Sequence, residues 1–185
     1  MDKEWKGYCV MGNRSVLYYD EIATPIGPMT ILMSKEGLCR IDFGEMRDLQ
    51  SILQTWGKRY FLYNKFAHNP DRSDEIKQQL LDYFNGERQT FTVDYRLTGT
   101  PFQQKVWQAL VEHIPYGETK SYKEIAQLIQ APKAIRAVGG AINKNPLAIL
   151  VPCHRVIGSN GALVGYNGGI AKKKHLLTIE KVPLD

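Results

Sequence analysis

Two helix-start signatures, Thr100-Pro101-Phe102-Gln103 and Ser121-Tyr122-Lys123-Glu124, limit what this chain can fold into more than any other feature. In each, a hydroxyl can accept from the backbone N–H three residues on, while the Gln or Glu at that position reaches back to the cap's own N–H; two donors that a helix end leaves orphaned are thereby satisfied. Pro101 suits the first helical position, where no N–H is needed. Val106, Trp107, Leu110 and Val111 then give the first helix a buried face, and Ile114-Pro115-Tyr116-Gly117 ends it. Ile125, Leu128 and Ile129 do the same for the second helix, Ala131-Pro132 turns the chain, and residues 133–144 read as a third helix. Two helices joined by so short a turn resemble a helix-turn-helix.

The third helix is rich in small residues: Ala134, Ala137, Gly139, Gly140 and Ala141. Each helical glycine costs about 1 kcal/mol relative to alanine, so something has to approach closely. Two readings stand side by side. The helix packs tightly on the protein's own core, or it meets a nucleic-acid groove with Lys133, Arg136 and Lys144 around it.

Directly after that helix comes Asn145-Pro146, then the apolar run Leu147 to Val151, which reads as a short buried strand, then Pro152-Cys153-His154-Arg155. A free thiol has a pKa of about 8.5, and its thiolate is the nucleophile, so a reactive cysteine needs a base or a cation beside it. His154 could take the proton, directly or through a water, and Arg155 or a helix N-terminus could add positive potential. Adjacent strand residues point to opposite faces, so the chain must turn between Cys153 and His154 for the two to cooperate. The plain alternative is a buried cysteine at a strand end next to a solvated His-Arg pair.

In the first half, Val16-Leu-Tyr-Tyr, Met29-Thr-Ile-Leu-Met and Leu38-Cys-Arg-Ile-Asp-Phe alternate with the turn signals Thr24-Pro-Ile-Gly-Pro and Ser34-Lys-Glu-Gly, which predicts a three-strand antiparallel meander. Ser73 starts a helix with Ile76, Leu80, Leu81 and Phe84 on one face and Asn85-Gly86 as its stop. Thr90 to Thr98 reads as a strand or a linker. The expected organisation is a small α/β domain over 1–88, a connecting segment over 89–99, and a mainly helical domain over 100–185: an α/β (α+β) chain whose second half carries a winged helix-turn-helix-like motif.

With 185 residues and 43% hydrophobic content, the chain can bury a core without staples. Cys9, Cys39 and Cys153 are odd in number and lack metal-ligand spacing, which suits reduced thiols in a cytosol. No apolar signal segment or membrane span is evident, so a cytoplasmic protein with no membrane partner is expected. The net charge of +5 is unevenly placed. Residues 1–100 carry 13 Lys/Arg against 14 Asp/Glu, net −1, and residues 101–185 carry 11 against 5, net +6. The excess is either a solvated basic face or the footprint of a polyanion.

Pro152-Cys153-His154-Arg155, preceded by Arg136-Ala-Val-Gly-Gly-Ala and Asn145-Pro146 and followed by Gly165-Tyr166-Asn167-Gly168-Gly169 and Leu176-Leu-Thr-Ile-Glu180, resembles the O6-alkylguanine-DNA alkyltransferase family over about residues 100–181. The first half is similar more loosely. The resemblance implies DNA repair by direct reversal: the alkyl group of O6-alkylguanine, and of O4-alkylthymine, passes irreversibly to Cys153 in a single turnover. By the same resemblance, His154 accepts the thiol proton through a water, Glu180 orients the imidazole, and the Asn145 amide bonds the backbone around the site. Arg136 fills the stack left by a nucleotide rotated out of the duplex, an event that costs a few kcal/mol. Ala137, Gly139 and Gly140 belong to the same DNA-facing helix, and Tyr122 crowds the phosphate and bonds the flipped base. Tyr166 lines the alkyl pocket, the Asn167 N–H donates to O6, the carbonyls of Cys153 and Val156 accept from the guanine amine, and Gly168 with Gly169 allows close approach of the base.

The implied partner is double-stranded DNA carrying O6-alkylguanine, met by a monomer, with no cofactor. Some relatives hold a structural zinc in the first domain; here only Cys39 falls near a matching position, so no metal is expected. Relatives with tryptophan in place of the cysteine bind lesions without repair, and this chain keeps Cys153. The loop Gly158-Ser-Asn-Gly-Ala-Leu-Val164 is one residue longer than in some members, which bears on pocket width. Lys172-Lys173-Lys174 either attracts phosphate or is a solvated helix face. Taken alone, Tyr122 and Tyr166 could be core-edge aromatics, Arg136 a surface cation and Glu180 a helix-end carboxylate. Two other functions compete: a non-catalytic helix-turn-helix DNA or lesion binder, and a cysteine hydrolase using Cys153, His154 and Glu180.

Overall fold

The computed structural model describes residues 16–61 and 65–184. Cys9 lies outside them. The meander forms as β1 (Leu17–Ile22), β2 (Met29–Ser34) and β3 (Gly37–Phe43), each antiparallel to the next. Thr24 closes the first turn by donating its hydroxyl to the Gly27 carbonyl at 2.6 Å. Gly37 closes the second with φ +111°, where a Cβ would also sit 2.7 Å from the Asp94 carbonyl, so no side chain fits there. A short β4 (Phe66–His68) adds a fourth strand parallel to β1, giving the order β3-β2-β1-β4.

Helices cover both faces of this sheet. α1 (Met46–Phe61) packs Leu53 and Trp56 onto Leu17, Leu32 and Cys39. The sequence reading assigns nothing to this stretch, although Leu49, Leu53, Trp56 and Tyr60 recur at helical spacing. On the other face lie Met29, Ile31, Leu38 and Ile41, in one core with α2 (Asp74–Phe84) and the helices of the second half. The β2–β3 register shifts between Leu32 and Met33, whose partners are Arg40 and Leu38. That bulge lets Leu38 and Ile41 share one face while Cys39 turns to α1. Leu81 is 39% exposed rather than on the buried face of α2, which is made by Ile76, Leu80, Tyr83 and Phe84.

Residues 90–98 form no regular strand; a single parallel bridge joins Tyr95 to Leu38. Both capping boxes form with both arms closed, at the starts of α3 (Pro101–His113) and α4 (Tyr122–Leu128). α5 (Ile135–Asn143) follows as the third helix. Val111 and Leu128, expected inside, are each 41% exposed, because Trp107 and Leu110, and Ile125 with Ala126 and Ile129, fill the narrow inward arcs instead. β5 (Lys120–Ser121) pairs in parallel with β6 (Val156–Ile157), and α6 (Ile170–Ile179) closes the chain. Among the described residues no helix is long and apolar enough to cross a membrane.

Candidate active site and nucleic-acid face

The expected strand over Leu147–Val151 is instead a bend folded back on itself. Val151 N–H donates to the Leu147 carbonyl at 3.0 Å, and Ile149 takes φ +74°, an unfavourable value for a β-branched residue. Asn145 holds the bend. Its Nδ2 donates to the carbonyls of Val151 (2.8 Å) and Leu147 (3.3 Å), and its Oδ1 accepts from Leu147 N–H (2.9 Å). The sheet steadies it from outside: Ile41 N–H donates to the Pro146 carbonyl at 2.8 Å, and Ala148 N–H donates back to Ile41 at 3.3 Å. Local apolar pattern suggests a strand here, but side-chain and tertiary hydrogen bonds to the backbone win.

The bend delivers Cys153 to one turn of 3-10 helix, Cys153–Arg155, so the chain does turn between Cys and His. Asn145 Nδ2 also lies 3.0 Å from Cys153 Sγ. Burial pushes the thiol pKa up, against the pull of Asn145 and of the Lys173 charge. The resting sulfur is therefore a neutral thiol, and its proton has to leave during reaction. His154, fully buried, places Nε2 2.7 Å from Glu180 Oε1, while its buried Nδ1 has no partner among the described residues. Burial lowers the imidazole pKa, only partly opposed by Glu180. A neutral ring donating Nε2–H to Glu180 leaves Nδ1 as a free acceptor.

Glu180 follows the last turn of α6 and is 1% exposed. Burial raises its pKa, but His154 and Arg155 together outweigh that and bring it down to about 2. Arg155 does not aim its charge at the sulfur, as the sequence suggests. Nε and Nη2 bind Glu180 at 2.8 and 3.0 Å, and Nη1 donates to the Ile114 carbonyl at 2.7 Å. The cation acting on the thiol is Lys173, which sequence reasoning missed. It is fully buried, its Nζ donating to the carbonyls of Val156 (2.5 Å) and Val164 (3.0 Å), and burial brings its pKa down to about 8. Lys173 is thus neither a phosphate attractor nor part of a solvated face, and Lys172 caps the Ile26 carbonyl at 2.5 Å; only Lys174 is free to the solvent.

A small cavity of about 10 Å³ lies against Cys153, walled by Asn145, Ala148, Phe43, Tyr166 and Asn167. That is room for about one water. Tyr166 buries its hydroxyl without a hydrogen-bond partner among the described residues and packs its ring 5.8 Å from Phe43. A Cβ on Gly168 would sit 2.7 Å from the Phe43 ring, so the close approach this glycine permits is to Phe43, not only to an incoming base. The Val156 carbonyl is taken by Lys173 and that of Cys153 by Val156 N–H, so each keeps one lone pair for a ligand. Asn167 is exposed at the rim. Tyr122 sits under the loop, its hydroxyl 3.2 Å from the carbonyls of both Val164 and Gly165.

On α5, Arg136, Ala137 and Gly140 are exposed, and Arg136 makes no ion pair among the described residues. A Cβ on Gly139 would rest at an ordinary 3.7 Å from Tyr122, and one on Gly140 would meet nothing within 4 Å. Packing on the protein's own core therefore does not account for Gly140. Cys39 is buried, with its thiol pushed up to about 12 by burial.

The match to known proteins covers both halves. Residues 17–97 match the model of the 6-O-methylguanine DNA methyltransferase ribonuclease-like domain, and residues 101–182 that of the same family's DNA binding domain. The chain is 44% identical over 167 residues to the methylated-DNA–protein-cysteine methyltransferase of Methanosarcina barkeri, covering 89% of this chain and 98% of that one. It is 45% identical over 166 residues to the constitutive enzyme of that name from Bacillus subtilis, with 89% and 96% covered. Among solved structures it is similar to Mycobacterium tuberculosis OGT in complex with DNA, with a TM-score of 0.76, 45% identity, and 90% and 95% of the two chains covered. Two family models that together cover residues 17–97 and 101–182, and relatives about 45% identical over nearly their whole length, leave no doubt of kinship: this chain belongs to the 6-O-methylguanine DNA methyltransferase family.

Proposed function

We infer that the chain repairs DNA by direct reversal, moving the alkyl group of O6-alkylguanine in a duplex onto Cys153. As the Sγ–carbon bond forms, the carbon–O6 bond breaks and its electron pair stays with the purine, which recovers a proton to become guanine. The thioether product offers no easily displaced group, so one protein repairs one lesion. The observation that carries this reading is the placement of Sγ: 3.0 Å from Asn145 Nδ2, at the wall of a cavity, beside a buried His154-Glu180 pair. His154 Nδ1, unpaired among the described residues, is the acceptor for the thiol proton through an intervening water.

A purine needs more space than the cavity offers, so its wall at Tyr166 has to give way as the base enters. Arg136 takes the place of the rotated nucleotide, Ala137, Gly139 and Gly140 let α5 lie close to the duplex, and Tyr122 contacts the phosphate and the base. The Asn167 N–H and the remaining lone pairs of Cys153 and Val156 recognise the guanine edge, with Gly168 giving clearance. We propose O4-alkylthymine, by the family resemblance, as a second substrate of the same pocket. We place the reaction in the cytoplasm, with a monomer acting on duplex DNA, no cofactor, and the two halves dividing at residues 89–99.

The test is stoichiometry. Labelled duplex holding O6-methylguanine should transfer one equivalent of label and then stop, and Cys153→Ser should transfer none while still binding the duplex. Continued turnover, or transfer by the Ser variant, would overturn the assignment.

A further inference from the structure

Tyr83 belongs to α2, far from the helix-turn-helix in sequence, and no motif marks it. Its ring is fully buried, edge-on to Phe84 at 5.6 Å and to Tyr116 at 6.3 Å. Those contacts would be met equally by phenylalanine. The hydroxyl is what differs: it donates to Glu180 Oε1 at 2.6 Å, across 97 residues of sequence. The same oxygen receives His154 Nε2 at 2.7 Å and Arg155 Nη2 at 3.0 Å. We propose that Tyr83 is a positioning residue for alkyl transfer: its hydroxyl, brought in from the sheet half, fixes the place and the basicity of the Glu180 carboxylate and, through it, of the His154 imidazole. The proposal rests on the repair function inferred above.

Three donors crowd one carboxylate oxygen, so each draws electron density that the others would otherwise share. Taking the tyrosine hydroxyl away leaves Glu180 more basic and free to rotate. A more basic carboxylate favours the imidazolium form of His154, so the imidazole pKa rises. Only the neutral ring can accept the thiol proton; a higher imidazole pKa therefore moves the acid limb of the reaction to higher pH. The other groups around the pair are Arg155, on the 3-10 turn; Lys173, on α6; Tyr116, after α3; and Cys153 and Tyr166. All five stay in place when only the Tyr83 hydroxyl is removed, so a change in His154 reports on that hydroxyl.

The experiment compares the full chain with Tyr83→Phe, using free O6-benzylguanine so that DNA binding plays no part. The acid limb should move up by about one pH unit, making the variant roughly tenfold slower at low pH with a much smaller loss on the alkaline plateau. The His154 ring nitrogens, followed by NMR, should titrate at correspondingly higher pH. On a Glu180→Gln background, Tyr83→Phe should shift the His154 titration no further. An unchanged limb and an unchanged His154 titration in a folded Tyr83→Phe protein would overturn the proposal, as would equal and additive shifts with and without Glu180. Failure of the repair function is a separate outcome, seen as no benzyl transfer by the unaltered chain. The NMR titration decides the role of Tyr83 either way.

Discussion

The polar network behind the thiol and the outward face of α5 are opposites. Glu180, His154, Arg155 and Tyr83 are all buried and nearly every polar atom is paired: the carboxylate takes His154, Arg155 and Tyr83, and Arg155 also donates to the Ile114 carbonyl. On α5, Arg136 is exposed without an ion pair among the described residues, and a Cβ on Gly140 would meet none of them within 4 Å. Buried charges survive only when paired, so the first region is stable by being complete. The second is incomplete and, on the repair reading, is completed by the duplex. Chemistry is thus held rigid from within while recognition is left open, and substitutions in the two regions should fail in different ways.

The largest expected effect is Glu180→Ala. It strands the Arg155 charge, the His154 ring and the Tyr83 hydroxyl in the interior, and should cost about 3–5 kcal/mol of stability, read from urea unfolding. A loss under about 1 kcal/mol would mean that the network is not what holds this part of the fold.

Acid should attack the same region first. The folded Glu180 pKa is depressed from 4.5 to about 2, so its contribution is fully present above the unfolded value and is lost as pH falls toward the folded one. His154 is also depressed, from 6.5, so the unfolded chain binds its proton first and stability declines as pH drops below that value. Unfolding midpoints should therefore fall on passing below about pH 6.5 and faster below about pH 4.5. A flat profile across both ranges would contradict the buried, neutral state of His154.

Arg136→Ala should leave stability within about 0.5 kcal/mol, because the residue touches little of the fold. Repair of duplex DNA should nevertheless drop much more than reaction with free O6-benzylguanine, since only the duplex has to give up a stacked base. Equal losses on the two substrates would remove Arg136 from its place in the stack. Gly140→Ala gives the smallest change: the fold should gain up to about 1 kcal/mol from helix propensity, while duplex affinity falls because the added methyl meets the groove. A stabilised variant that binds duplex unchanged would dissolve the contrast between the two faces.

What the sequence made legible was local. The capping boxes at Thr100 and Ser121 place α3 and α4 because all their hydrogen bonds lie within four residues. The turn residues around Gly27 and Gly37 likewise mark the meander. The bend over Leu147–Val151 was not legible, because its shape is imposed by Asn145 and by the edge of β3, not by its own apolar run. Leu81, Val111 and Leu128 look buried by spacing, yet the cores they border are narrower than the apolar stripe. Lys173 was hidden among three lysines, a residue type almost never fully buried unless paired, and here two carbonyls take its ammonium. Tyr83 could not be found at all from local pattern, since its partner lies in the other half of the chain. The cysteine segment was legible as chemistry, and the resemblance named that chemistry, but the division of labour among Arg155, Lys173 and Glu180 emerges only when distances are known.

On the repair reading, Cys153 itself receives the alkyl group. Intact-mass analysis after exposure to duplex carrying O6-methylguanine, followed by peptide mapping, tests it most directly. A single added methyl group is expected, located on the peptide holding Cys153, with the lesion restored to guanine in equal amount. An unmodified protein in the presence of excess lesion, or a methyl group mapped to another residue, would contradict it.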